Sequence, residues 1–148
     1  MKTKLNVLLE EKGGRVHQVA PEETVLEAVH LMNERKVGAL LVTREGRLEG
    51  IFTERDVLCR VVAEGKDPGK TRVKDVMTRQ VVVVPPQCTV EEAMEVVTGK
   101  RCRHLPVMEG EELLGLISIG DLTRWATRSQ KNELESLVRY IRGEDYPG

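Results

Sequence analysis

Aromatic residues are nearly absent from the 148-residue chain, which holds one Trp, two Tyr and one Phe. Its core must therefore be aliphatic, and little ring surface is left for stacking successive bases of a single strand. Cysteine is scarce too. Cys59, Cys88 and Cys102 are odd in number and lack a C-x-x-C spacing, which argues against a disulfide framework and predicts buried free thiols. Neither sign of charge dominates, because 23 basic residues face 24 acidic ones for a net charge of -1. No overall basic field supports nonspecific nucleic-acid binding, although a local patch stays open. No apolar run reaches the roughly 18 to 20 residues of a membrane span, and residues 1–14 are too polar for a signal-peptide core. A cytoplasmic protein without membrane insertion is the expectation.

What the chain has instead is repetition. Residues 19–57 and 84–122 carry one pattern at a constant offset of 65 positions. Thr24, Val25, Ala28, Leu40, Val42, Gly50 and Asp56 meet identical residues at Thr89, Val90, Ala93, Leu105, Val107, Gly115 and Asp121, and Thr53 meets Ser118. Two units are too few for a stacked solenoid, and a unit of about 60 residues seldom builds a sufficient core alone. The copies should pack on each other as a pseudo-two-fold pair.

Local signals agree within each copy. Thr24-x-x-Glu27 and Thr89-x-x-Glu92 are capping boxes that open helices, continued by the apolar stripes Val25, Ala28, Val29, Met32 and Val90, Ala93, Met94, Val97. Aliphatic runs at 39–42 and 48–52, and again at 105–108 and 113–117, are joined by polar turns and read as hairpins. A lead-in strand is predicted at 16–19 and at 81–84, the latter stopped by Pro85-Pro86. A second helix follows Thr53, with Val57, Leu58, Val61 and Val62, and another follows Ser118, with Leu122, Trp125 and Ala126. The unit is β-α-β-β-α, an α/β (α+β) fold. Short apolar clusters at 4–9 and 73–77 precede the copies, the first followed by a Gly13-Gly14 break. Leu134, Leu137, Val138 and Ile141 predict an extra C-terminal helix that Gly143 can terminate. The expected organisation is a first domain with its lead-in at 1–64, a linker at 65–72, a second domain at 73–128 and a helical tail at 129–148.

Thr53-x-x-Asp56 and Ser118-x-x-Asp121 are the residues with chemistry to offer. A hydroxyl at a helix start with an acid three residues on is a cap that complements the helix dipole. The same carboxylate can accept hydrogen bonds from both hydroxyls of a ribose, while helix N-termini offer amides to phosphate. Cap and ligand site can coexist. Cys102-x-His104 has no second pair at a spacing that would complete a metal site, and no orienting group marks Cys102 and His104 as nucleophile and base. His17 and His30 read as structural.

The doubled segments Gly50-Ile51-Phe52-Thr53-Glu54-Arg55-Asp56 and Gly115-Leu116-Ile117-Ser118-Ile119-Gly120-Asp121 bring the repeat close to a known pattern. With Arg103-His104-Leu105-Pro106-Val107, they resemble a tandem pair of cystathionine β-synthase (CBS) domains, a Bateman module, over most of the chain. The short architecture is similar to stand-alone bacterial CBS pairs. The resemblance implies a regulatory sensor, not an enzyme, with no metal and no catalytic cofactor. Its ligand would be an adenosine-containing nucleotide: AMP, ADP or ATP, with NAD(H) or S-adenosylmethionine as further candidates. Asp56 and Asp121 would hold the ribose diol, with Thr53 and Ser118 beside ribose and phosphate. Two unequal clefts across the copies are implied, one joining Thr53 and Asp56 to Arg103 and His104, the other joining Ser118 and Asp121 to Gly38 and Ala39. The first would prefer anionic nucleotides. A homodimer through helix faces and a separate regulated protein complete the expectation. A ligand-independent adaptor, in which both pairs serve only as caps, and a nucleotide hydrolase are the alternatives.

Overall fold

A computed structural model of the chain describes residues 3–13 and 16–142. Two copies of one mixed α/β unit follow each other, each led by a short helix. The first runs α1 (Leu5–Lys12), β1 (Gln18–Val19), α2 (Val25–Arg35), β2 (Ala39–Arg44), β3 (Arg47–Thr53) and α3 (Glu54–Asp56), which continues into a π-helical stretch, Val57–Val62. The second runs α4 (Val73–Val76), α5 (Val90–Lys100), β4 (His104–Glu109), β5 (Glu112–Ser118) and α6 (Ile119–Arg142). In the first sheet β2 pairs parallel with β1 and antiparallel with β3; in the second, β4 and β5 form an antiparallel hairpin. The capping box at Thr89 is complete, whereas at Thr24 the Glu27 carboxylate accepts the threonine hydroxyl instead of its backbone N–H. Both stripes reach the core through Val25, Ala28 and Met32 and through Val90, Ala93 and Val97, but Met94 stays exposed.

The leading helices are exchanged between the copies. Leu5, Leu8 and Leu9 of α1 lie in the core of the second copy with Val90, Leu105 and Ile117, while Val73, Val76 and Met77 lie in the core of the first with Val25, Leu40 and Phe52. Backbone bonds fix both crossings. Leu5 N–H donates to the Cys88 carbonyl at 2.9 Å and Val90 N–H to Thr3 at 2.9 Å; Val73 N–H donates to Glu23 at 2.9 Å and Val25 N–H to Thr71 at 2.8 Å. Each incoming segment presses on a glycine of the strand beneath it. A Cβ at Gly115 would stand 2.5 Å from Leu9 Cδ2, and one at Gly50 would stand 2.7 Å from the Thr78 carbonyl oxygen. The recurrence of glycine at these two places follows from that close approach. A third cluster sets Ala39, Leu41 and Ile51 of the first copy against Leu113 and Leu116 of the second, closing the space between the sheets.

Several local expectations are revised. Residues 81–84 make one parallel bridge, Val84 to Val107, rather than a strand. In the first copy Leu41 N–H donates to the His17 carbonyl at 3.0 Å, but Pro106 occupies the equivalent place and has no N–H, so the ladder loses that rung. The helix after Ser118 and the predicted tail helix are one continuous element, α6, and beyond residue 129 its apolar positions Leu134, Leu137, Val138 and Ile141 are 36% to 74% exposed. In the first copy Val61 is buried, whereas Leu58 and Val62 face outward. Cys88 is buried as predicted, Cys102 is half-buried, and Cys59 is exposed because it sits on the outer side of the π-helical stretch. The predicted Gly14 half of the glycine break and the Gly143 terminator lie outside the described residues. Among the described residues no helix is long and apolar enough to cross a membrane.

Candidate functional site

Both candidate carboxylates stand at a strand-to-helix turn, where β3 passes into α3 and where β5 passes into α6. The Thr53 hydroxyl accepts from Asp56 N–H at 3.2 Å, and Asp56 Oδ2 accepts Thr53 N–H at 3.0 Å. At the other turn Ser118 Oγ accepts from Asp121 N–H at 3.1 Å and Asp121 Oδ2 accepts Ser118 N–H at 2.8 Å. Each pair is thus a reciprocal helix cap, which satisfies backbone donors at the turn and fixes the carboxylate against it. Capping leaves further lone pairs on both acids.

The exchanged segments supply what meets those lone pairs. Asp56 Oδ1 accepts the hydroxyl of Thr78, just after α4, at 3.1 Å. Arg60 Nε lies 3.7 Å from the same oxygen while its guanidinium donates to the Met77 carbonyl at 2.8 Å, tying the end of α4 to the π-helical stretch. Asp121 Oδ2 accepts from Lys12 Nζ, the last residue of α1, at 2.8 Å, and Lys12 also donates to the Leu116 carbonyl at 2.8 Å. Arg124 holds Asp121 Oδ1 at 2.6 Å. Burial pushes the Asp121 carboxyl up, but the Lys12 and Ser118 hydrogen bonds outweigh it and leave the group below the usual carboxylate range.

The two turns differ in access. The Asp56 side chain is 7% exposed and that of Asp121 13%, and a groove of about 850 Å³ opens at Asp121 between α1 and α6. Its walls include Leu8, Lys12, Ile119, Arg124 and Arg128. Glu11 and Arg128 pair across it at 2.9 Å.

Strand pairing puts the remaining candidates beside the turn of their own copy. Ala39 faces Thr53 across the β2–β3 ladder, and the Gly38 carbonyl accepts Glu54 N–H at 3.0 Å. His104 faces Ser118 across the β4–β5 ladder, and the Arg103 carbonyl accepts Ile119 N–H at 2.8 Å. Across the copies, His104 feels Glu54 of the first as well as Lys12, Asp121 and Arg103; burial, then Lys12, pushes its imidazole below the ordinary histidine range. An imidazole shifted in that direction is mostly uncharged at pH 7, so of the two basic residues expected to favour an anion, Arg103 is the one that brings a charge. Lys12, Arg60, Thr78 and Arg124 were not among the sequence candidates. The i, i+3 spacing of Asp121 and Arg124 on one helix was a usable signal, but nothing local links Lys12 to an acid so far along the chain.

A family model of the CBS domain matches residues 15–63 and 73–128. The mitochondrial CBS domain-containing protein CBSX3 of Arabidopsis thaliana is 38% identical over 127 residues, 82% of this chain, and the chain spans 62% of that relative's length. The CBS domain-containing protein YhcV of Bacillus subtilis is 35% identical over 119 residues, covering 80% of this chain and 82% of its own. The structure of a provisionally assigned signal-transduction protein with CBS domains from Burkholderia ambifaria superposes with a TM-score of 0.83 at 38% identity, over 86% of this chain and 96% of that one. With two matched copies, the exchanged leading helices and the doubled capped turns in place, the chain belongs to the CBS-domain family as a tandem pair.

Proposed function

We propose that the module is a regulatory sensor that binds an adenosine-containing nucleotide through Asp56 or Asp121 and returns it unchanged. One observation carries this reading. Each carboxylate is fixed by its own turn yet is also bonded by a side chain from the exchanged leading segment, Thr78 at Asp56 and Lys12 at Asp121. A ribose diol that takes up either carboxylate must compete with that bond, so ligand occupancy and the contact between copies are linked. Such a link is what a sensor requires, because a ligand shifts an equilibrium only through states it binds unequally.

AMP, ADP and ATP are the first candidates, followed by NAD(H) and S-adenosylmethionine. The regulated protein is a separate partner, and the module acts as a homodimer. The exposed apolar face of α6 beyond residue 129 favours a second reading, a ligand-independent adaptor that uses this face.

A thermal-shift titration with these ligands, run beside Asp56→Ala and Asp121→Ala, separates the two. At about one hundred times the dissociation constant the ligand should stabilise by about 2.7 kcal/mol, a shift of several degrees. Losing a charged hydrogen-bond partner should weaken binding about tenfold or more at the site concerned. A ligand that shifts the wild type and both single variants equally would show that neither carboxylate holds it. No shift with any of them would leave the adaptor.

A further inference from the structure

The groove at Asp121 is built for more than a ribose. We propose that it is a polyphosphate site, in which Lys12, Arg124 and Arg128 receive the phosphate chain of a nucleoside triphosphate whose ribose sits on Asp121. The proposal rests on the nucleotide reading above and adds a specificity: this cleft prefers triphosphates over monophosphates.

Three features of the groove carry it. First, Asp121, Arg124 and Arg128 fall at i, i+3 and i+7 of α6, one helix face, so the acid and the two guanidinium groups are spread along about 10 Å of axis. A phosphate chain leaving a ribose on Asp121 would run along that row, with Lys12 on the opposite wall. Second, three cations face two acids, Asp121 and Glu11, leaving an excess of positive charge at the mouth. Third, Arg128 is weakly held by its existing partner. Arg128 is 61% exposed and its Glu11 partner 50%, and exposed pairs of this kind contribute little. Exchanging a carboxylate for a phosphate that a guanidinium can grip with two parallel bonds is therefore favourable.

Gly120 makes the arrangement specific to this copy. A Cβ there would stand 3.3 Å from Arg124 Nη1 and 3.5 Å from Ser118 Oγ, so a side chain would crowd the guanidinium folded over the start of α6. The matching position in the first copy is Arg55, and the matching position of Arg124 is Cys59. The Asp56 turn therefore lacks this row, and the cation beside it is Arg60, 3.7 Å from Asp56 Oδ1.

The test is calorimetric titration of the full chain with AMP and with ATP, at low and at physiological salt. ATP should bind wild type about tenfold or more tighter than AMP, with an advantage that shrinks as salt rises. Arg128→Gln, remote from Asp121, should lower ATP affinity severalfold and leave AMP unchanged, and Arg124→Gln/Arg128→Gln should remove most of the ATP advantage, with Lys12 keeping the remainder. Glu11→Gln should act in the opposite direction and tighten ATP alone. Circular dichroism confirms that the variants fold. Equal binding of AMP and ATP, lost in Asp121→Ala, would overturn the phosphate groove and keep the nucleotide reading. An ATP advantage undiminished in the double variant would also overturn it. Failure of both nucleotides to bind would overturn the groove and leave the nucleotide reading to NAD(H) and S-adenosylmethionine.

Discussion

Adding one methyl group at Gly50 or at Gly115 tests the exchange of leading segments directly, and the two sites should not respond alike. At Gly50 the nearest atom to a new Cβ is the Thr78 carbonyl oxygen at 2.7 Å, and Thr78 is locked by two 2.9 Å backbone bonds to Ile51. Backbone held in that way cannot step aside. At Gly115 the obstacle is Leu9 Cδ2 at 2.5 Å, the far end of a side chain that can change rotamer inside a core with little room. Overpacking of a dense core costs about 1 to 3 kcal/mol, and Gly50→Ala belongs at the upper end while Gly115→Ala belongs at the lower. Truncating Leu9 alone should cost about 2 to 5 kcal/mol, but in the Gly115→Ala background part of that loss is recovered because the methyl enters the space Leu9 vacated. The double-mutant cycle of Leu9→Ala with Gly115→Ala should therefore show a favourable coupling of about 1 kcal/mol or more. Urea unfolding of the full chain measures all four species. If both alanines fall within about 0.5 kcal/mol of wild type, or if the cycle is additive, α1 does not pack on the second copy as described.

Asp56→Asn should destabilise more than Asp121→Asn, because Asp56 is buried with Thr53 and Thr78 bonded to it, at about 1.5 to 3 kcal/mol for hydrogen bonds to a charged group; equal losses in urea melts would contradict that ordering. Asp121 titrates below the usual carboxylate range when folded, so its contribution is present above about pH 4 and lost as the pH falls further, and Lys12→Met should flatten the acid limb of a stability–pH curve. His104, facing Lys12, Glu54, Asp121 and Arg103, takes up its proton at a lower pH in the fold than in the unfolded chain, which does so near pH 6.5, so stability should decline as the pH drops below about 6.5. His104→Asn should remove that limb, and an unchanged curve would show that the imidazole is not restrained. A chain ending at Ser129 should unfold within about 0.5 kcal/mol of the full chain at low protein concentration, since residues 130–139 are all exposed; a larger loss would mean that α6 beyond this point is packed.

The repeat, the capped helices and both hairpins were legible because they are written in short-range terms: a hydroxyl three residues before an acid, an apolar stripe, a polar turn between aliphatic runs. The loss of the 81–84 strand was legible in principle. Pro106 announces a missing donor, but only once Leu41 is known to spend its N–H on the lead-in strand. The exchange of leading helices was not legible. Apolar residues at 4–9 and 73–77 advertise burial without naming a host, and the two cores are chemically similar enough that composition favours neither. Gly50 and Gly115 were visible as a matched pair, yet the atoms that require them come from Thr78 and Leu9, 28 residues ahead of one and 106 behind the other. The site divides in the same way. Its carboxylates and hydroxyls came from spacing, while Lys12 and Thr78, which complete their coordination, came from tertiary contact.

Magnitudes also limit how a ligand at Asp121 can signal. Lys12 is held there by one partly exposed ion pair and one backbone bond, together worth about 1 to 2 kcal/mol. The helix that carries it is anchored by Leu5, Leu8 and Leu9, each burying about 1.5 to 3 kcal/mol of apolar side chain. A nucleotide that displaces Lys12 therefore frees a side chain and leaves α1 in place, because inverting a 1:99 equilibrium would take about 5.5 kcal/mol of differential binding. The signal must be local: a redistributed charge at the α1–α6 mouth, read by a partner that touches that surface. Hydrogen exchange tests this. Amides of α1 should exchange no faster with nucleotide bound than without it, and a ligand-induced opening of residues 5–12 would show that the leading helix itself is the moving part.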